Sequence, residues 1–229
     1  MEIDHLFVLV EPDTDEATAD RLDRATRCLT DAGLREGSSN DHPGQGTANR
    51  RFFFGNAMFE LLYFTDLEAA RRPPADVLQL PARASGRGAC PFGVAFRPST
   101  EPGEPARFER VHYRPIYLPD TLSIHVAASC PVSGPLWFHL PFIDPGARPP
   151  AGAPRGDVEP RDHPAGLDRL TRLGFVTPSA PSRLDRSVSA GQPIDWTLGE
   201  RHWLTLSFDD ERQGRGIERV ADLPLSFRF

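Results

Sequence analysis

An α+β fold, built mostly of strands, is what this sequence predicts, and three observations carry it. The first sixty-odd residues read as a strand, a helix, then two or three strands. The dipeptide Gly55-Asn56 lies between two apolar runs, RFFF and AMFELLYF, which is a two-residue hairpin signal. A second set of strands begins after Pro91, separated by long segments rich in proline and glycine.

EIDHLFVLV (2–10) is the first strand. Alternation puts Ile3, His5, Phe7 and Leu9 on one face, and Leu6, Val8 and Val10 on the other with Asp4. Residues 13–32 predict an amphipathic helix. Asp13 and Glu16 have the spacing of a capping box, Leu22, Ala25, Leu29 and Ala32 form the apolar stripe, and Gly33 is the stop. A short strand or loop (34–40) leads to a polar, glycine-punctuated loop from His42 and then to the hairpin. Residues 67–90 read as a linker-like segment in which a helical turn can form. FGVAFRP (92–98), DTLSIHVAA (120–128) and PLWFHLPF (135–142) are strands. Leu167, Leu170 and Leu173 recur every third residue ahead of Gly174, which favours a short helix, with a strand then starting at Phe175 and Val176. A hairpin is expected around Leu198-Gly199-Glu200, then a strand HWLTLSF (202–208) and a last short strand in LPLSFRF (223–229).

The 229 residues suffice for one sizeable core. A net charge of -6 gives no basic excess for a phosphate backbone, so nucleic acid is not an expected partner. All 26 basic residues are arginine, which excludes a lysine Schiff base. The 24 prolines are roughly double the usual share and mark long loops. Three widely spaced cysteines indicate neither a disulfide framework nor a zinc finger. No apolar run is long enough to span a bilayer, so the default expectation is a cytoplasmic protein without membrane contact. No GxSxG, phosphate-binding loop or dinucleotide fingerprint occurs.

Glu60 is the most informative residue. A carboxylate among Met58, Phe59, Leu61 and Leu62 is costly unless paired, hydrogen-bonded or bound to metal. DHLFVLV, the helix after it, and HPGQGTANRRFFFGNAMFELLYF together resemble the glyoxalase-like branch of the vicinal oxygen chelate superfamily. The likeness is specific over residues 4–66 and weaker through HPAG (163–166) and HWLTLSFDD (202–210). It implies paired βαβββ-type modules forming an open, curved, mostly antiparallel sheet around a cavity. Residues 1–66 would be the first module, 67–90 a linker, and 91–229 a divergent, loop-rich second module, all in one compact domain. In metal-dependent members, ligands come from the first and last strands of each module. By that resemblance His5 and Glu60 stand at the two ligand positions of module one, as metal ligands or as a catalytic acid/base pair. One divalent ion is the implied cofactor. FGVAFRP has no ligand at its matching position, and HWLTLSF, taken as the last strand, offers Thr205.

The activity so implied is isomerase, lyase or ring-cleaving dioxygenase chemistry on a small oxygenated molecule. The alternative is a protein of the same fold that sequesters a ligand without chemistry. His42, Gln45, Thr47 and Asn49 form a candidate substrate-contacting rim, with Gly44 and Gly46 letting backbone approach a ligand closely. Of Arg50 and Arg51, one should point inward and could bind a carboxylate; Arg51 is the candidate. His163 could act at the cavity mouth as a general acid or base. His125 or His139 could complete a metal site, although a lone strand histidine is more often a core residue. A second copy of the chain is a candidate partner, besides the small-molecule ligand.

Overall fold

The computed structural model describes residues 1–10, 18–86, 88–99, 108–144 and 159–229. Its larger sheet has eight strands: β1 (Glu2–Leu9), β2 (Asn40–His42), β3 (Thr47–Phe53), β4 (Met58–Phe64), β5 (Phe92–Arg97), β6 (Arg110–Tyr113), β7 (Ile124–Ala127) and β8 (Leu136–His139). Their order is β2-β3-β4-β1-β5-β8-β7-β6. Each half repeats one pattern, in which the first strand lies parallel to the fourth: β1 beside β4, and β5 beside β8. The halves meet where β1 runs antiparallel to β5. This is the expected pair of modules, curled into an open half-barrel. In the first half the crossover is helix α1 (Thr18–Asp31). The second half connects through 98–109, of which 100–107 lie outside the described residues.

α1 forms as its periodicity predicts, burying Leu22, Ala25 and Leu29. It ends at Gly33, whose φ of 91° is open to glycine, and the Leu34 N–H returns to the Leu29 carbonyl at 3.0 Å. The expected caps Asp13 and Glu16 fall outside the described residues. The hairpin closes as expected: Phe53 pairs with Met58, and the Phe54 N–H meets the Ala57 carbonyl at 2.8 Å. Asn56 reaches away from the turn, and its side-chain amide bonds both the N–H and the carbonyl of Leu170 at 2.8 Å. Segment 67–90 carries the helical turn allowed for it, and more. It folds into turns at Ala69–Arg71 and Ala75–Leu78 and the short helix α2 (Leu80–Arg83).

The rest of the chain builds a second sheet rather than more of the second module. β9 (Leu170–Thr177), β10 (Ile194–Leu198), β11 (Trp203–Phe208), β12 (Gly216–Ile217) and β13 (Leu225–Arg228) lie in the order β10-β9-β11-β13-β12, with α3 (Arg183–Ser189) between β9 and β10. One face of the large sheet (Leu6, Val8, Phe59, Leu61, Phe92, Val94) packs into a common core with α1 and with Leu173, Phe175, Leu204, Leu206 and Phe227 of the second sheet. The other face of the large sheet is left to surround a cavity.

Three expectations are corrected here. Residues 170–173 are strand, not helix, and run straight into 175–176 as the single strand β9. A bulge between Ser207 and Phe208, opposite Arg172 and Leu170, leaves Thr171 as the extra residue. Leu170 and Leu173, three apart, therefore both turn inward, which imitates a helical stripe. No hairpin joins β10 to β11, because the two flank β9 on opposite sides. The last strand of the second module is β8, and β11 with Thr205 belongs to the other sheet, where Thr205 bonds Ser226 at 2.9 Å. No helix among the described residues is long and apolar enough to cross a membrane.

Candidate functional site

The uncovered face of the large sheet encloses a cavity of about 350 Å³. Its two walls differ in chemistry. Module one and the loop before β3 contribute Asp4, His5, Asn40, His42, Gln45, Arg51 and Glu60. Module two and the 67–90 segment contribute mainly Leu78, Leu80, Ile124, Leu136 and Phe138, with Tyr113 and Tyr117 at the boundary.

Alternation delivers most of the polar wall. On β4, Met58, Glu60 and Leu62 face the cavity while Phe59 and Leu61 enter the core. On β1, His5 and Phe7 face the cavity, but the strand departs from strict alternation. Ile3 pairs with Phe96 and His5 with Ala95, so Asp4 is an extra residue. This bulge turns Ile3 toward the core and brings Asp4 to the cavity beside His5. The Asp4 carboxylate receives the His5 Nδ1–H at 2.7 Å and Arg97 Nη1–H at 3.2 Å. Burial works to raise the Asp4 carboxyl, but His5 and Arg97 outweigh it and hold it below its ordinary value. Burial likewise opposes protonation of His5, yet the Glu60 charge and the Asp4 bond prevail and raise it above the usual histidine range.

Glu60 is only 6% exposed and makes no hydrogen bond to a described residue. Of the direct or water-mediated contact expected between His5 and Glu60, the direct bond is absent, and His5 Nδ1 is held by Asp4. Arg51 lies opposite Glu60 across β3 and β4. It lines the cavity as expected, with Nε–H bonding the Ser38 carbonyl at 2.7 Å, while Arg50 turns outward to Asp23 and Glu36.

The rim residues do not all reach the cavity. Gln45 and His42 line it. Thr47 stands behind them, its hydroxyl accepting from Gln45 Nε2 at 2.8 Å and lying 3.0 Å from His42 Nδ1. Asn49 is buried and accepts from the Asn40 N–H at 2.9 Å, so it braces β2. The close approach at Gly46 is to the chain itself, at Asp66, and Gly44 sits against Ile116. His163 does not line the cavity. Its Nδ1 accepts from the Arg35 N–H and its Nε2–H donates to the Phe53 carbonyl, both at 2.9 Å. It stitches 159–166 to the first module as a neutral imidazole. His125 and His139 pair across β7 and β8, on the side opposite the cavity-facing Val126 and Phe138. They cannot complete a site with His5.

The pattern of histidines sets a pH dependence. Burial depresses His163, His202, His139 and His42, and pushes His125 down to about 4. A group depressed in the fold contributes stability that is present above its unfolded value, about 6.5, and lost as pH falls toward the folded one. His5, raised, contributes in the opposite sense and is lost as pH rises. The depressed groups outnumber it, so the thermal midpoint should fall between pH 7 and pH 5 in thermal scans. A midpoint that rises on acidification would mean that His5 dominates.

The donor set decides whether a divalent ion fits. His5 and Glu60 supply two donors. The cavity-facing positions of β5 and β8 are Gly93, Ala95, Leu136 and Phe138, none of which can ligate. Among the described residues no three of His, Cys, Asp and Glu are arranged to hold a metal ion. A four-ligand centre does not fit these residues.

Asp4, Arg97, Asn40, Tyr113 and Tyr117 were not indicated by the sequence. Asp4 is recognisable only through the bulge, and RVHYRPIY (110–117) has no periodicity that places its tyrosines.

The fold and site together define an open, curved α+β half-barrel around a small-molecule-sized, half-polar cavity. No family model matches the chain, and no curated protein does. Among solved structures, the chain is similar to a hypothetical protein from Bacillus halodurans C-125, with 15% identity, over 64% of this chain and 98% of that one, at a TM-score of 0.39. It is also similar to a hypothetical protein from Staphylococcus aureus, with 7% identity, over 99% of this chain and 98% of that one, at a TM-score of 0.48.

Proposed function

We propose that this chain is a glyoxalase-like enzyme that moves protons on a small oxygenated substrate, with Glu60 and His5 as the acid/base pair. One observation carries this: the Asp4–His5 hydrogen bond and the unbonded Glu60 carboxylate converge on one cavity. Glu60 has free lone pairs to accept a proton from carbon or oxygen. His5, raised and oriented by Asp4, offers its Nε2–H to an oxygen that gains negative charge. Such a pair suits isomerase or lyase chemistry next to a carbonyl. Ring-cleaving dioxygenase chemistry would need more metal ligands than His5 and Glu60 supply, so proton transfer by the side chains themselves is the better supported reading. A cytoplasmic location goes with this reading, since Cys28, Cys90 and Cys130 are all free thiols.

The second reading, a sequestering protein of the same fold, is favoured by the apolar wall of module two, which brings no reactive group to the ligand. Exchange in heavy water separates the two. A panel of small alkyl and aryl α-hydroxyketones is incubated with the protein, and carbon–hydrogen exchange is followed by NMR. Catalysed exchange in the wild type, reduced about a hundredfold or more in His5→Ala, is the expected result. Compounds that bind in the cavity yet neither exchange nor convert would leave a binding protein.

A further inference from the structure

The polarity of the hydrogen bonds at the tyrosine end of the cavity specifies part of the ligand. Gln45 is buried, and its amide is held from behind: Nε2 donates to the Thr47 hydroxyl at 2.8 Å. That leaves Oε1 facing Tyr113 and Tyr117, each of whose hydroxyls donates to it at 3.0 Å. An amide oxygen has two lone pairs, and both are taken. A phenol has a single proton; the two hydroxyls also bond each other, so both protons are spent within the Gln45–Tyr113–Tyr117 cluster. What both side chains still have toward the cavity is lone pairs. Glu60 lines the same cavity and is also only an acceptor as a carboxylate. Opposite stand Leu118, Ile124, Leu136 and Phe138, which ask for an apolar body.

We infer that the ligand presents a hydrogen-bond donor, a hydroxyl or an N–H, to the Tyr113–Tyr117 pair, on an otherwise alkyl or aryl body. The inference rests on the cavity being the ligand site proposed above. A ligand offering only an ether or carbonyl oxygen there sets lone pair against lone pair. To accommodate it, a tyrosine must release Gln45 and leave a buried amide oxygen short of a partner. Both phenols are pushed above their ordinary values by burial, so they stay protonated at neutral pH and keep their bonds to Gln45. Gln45 thereby becomes the residue that sets ligand polarity at this end, without any reactive role.

Three probes test this on the full chain by calorimetry and ligand-observed NMR: 4-propylphenol, 4-propylaniline and 4-propylanisole. They share a body and differ in whether the terminal group has a proton to give. The phenol and the aniline should bind about tenfold or more tightly than the methyl ether. In Tyr113→Phe/Tyr117→Phe, checked for folding by circular dichroism, that ratio should fall toward one. Equal or tighter binding of 4-propylanisole by the wild type overturns the inference and leaves the cavity reading intact. Failure of all three probes to bind at millimolar concentration overturns the cavity reading, and this inference with it.

Discussion

Gly46→Ala should be the most damaging single-atom addition in the site region. Gly46 has a φ of 71°, where alanine is strained by roughly 1–2 kcal/mol. A Cβ there would also stand 2.0 Å from the Asp66 carbonyl oxygen and 2.9 Å from the Ala70 nitrogen, both backbone atoms. Neither can move freely, because the Gly46 carbonyl accepts the N–H groups of Thr65 and Asp66 at 3.0 and 3.1 Å. Strain and clash together should cost about 3 kcal/mol or more of unfolding free energy. For a chain of this size that is a fall of roughly 6–12 °C in the thermal midpoint. Gly44→Ala is the control. It has a similar φ, 76°, but its nearest neighbour is the flexible Ile116 side chain at 2.9 Å, so its cost should be about 1–2 kcal/mol. Urea unfolding of both variants gives the comparison. A Gly46→Ala protein no less stable than Gly44→Ala would show that the loop yields, and that Gln45 and Thr47 on either side of it are not held as tightly as their bonds suggest.

What the sequence discloses of this molecule is what local periodicity determines. The alternation of MFELLYF places Glu60 on the cavity face and needs no knowledge of β1. The helix and the Gly55-Asn56 turn are likewise decided within a few residues. Asp4 shows where that logic stops. Its side depends on a bulge, and the bulge is set by pairing with Phe96 and Ala95, some ninety residues away. The same cause misplaces 170–173, where a bulge opposite Ser207 and Phe208 makes the start of a strand look helical. His163 is a different case. As a loop histidine it carries no sign of the Arg35 N–H and Phe53 carbonyl that fix it, and only the folded chain brings those groups to it. Tyr113 and Tyr117 converge on Gln45 from more than sixty residues downstream, across the seam between modules. Such side-chain convergence leaves no trace in spacing.

Glu60→Gln separates the functional from the structural account of the buried carboxylate. The two side chains have nearly one shape, and the amide carries no charge to desolvate. Glu60 makes no hydrogen bond to a described residue, so none is lost on substitution. Stability without ligand should therefore stay within about 1 kcal/mol of the wild type, or rise. His5 must respond, because the Glu60 charge is the largest influence raising it. With that charge gone, burial opposes only Asp4, and the His5 titration seen by NMR should move to lower pH. The stability that His5 contributes at low pH should then be smaller, because that contribution scales with how far the fold raises the group. Proton exchange on the ketone panel should fall about a hundredfold or more, because a neutral amide cannot accept the proton. A large drop in melting temperature, with the His5 titration unmoved and exchange retained, would make Glu60 a structural residue and place the acid/base chemistry elsewhere.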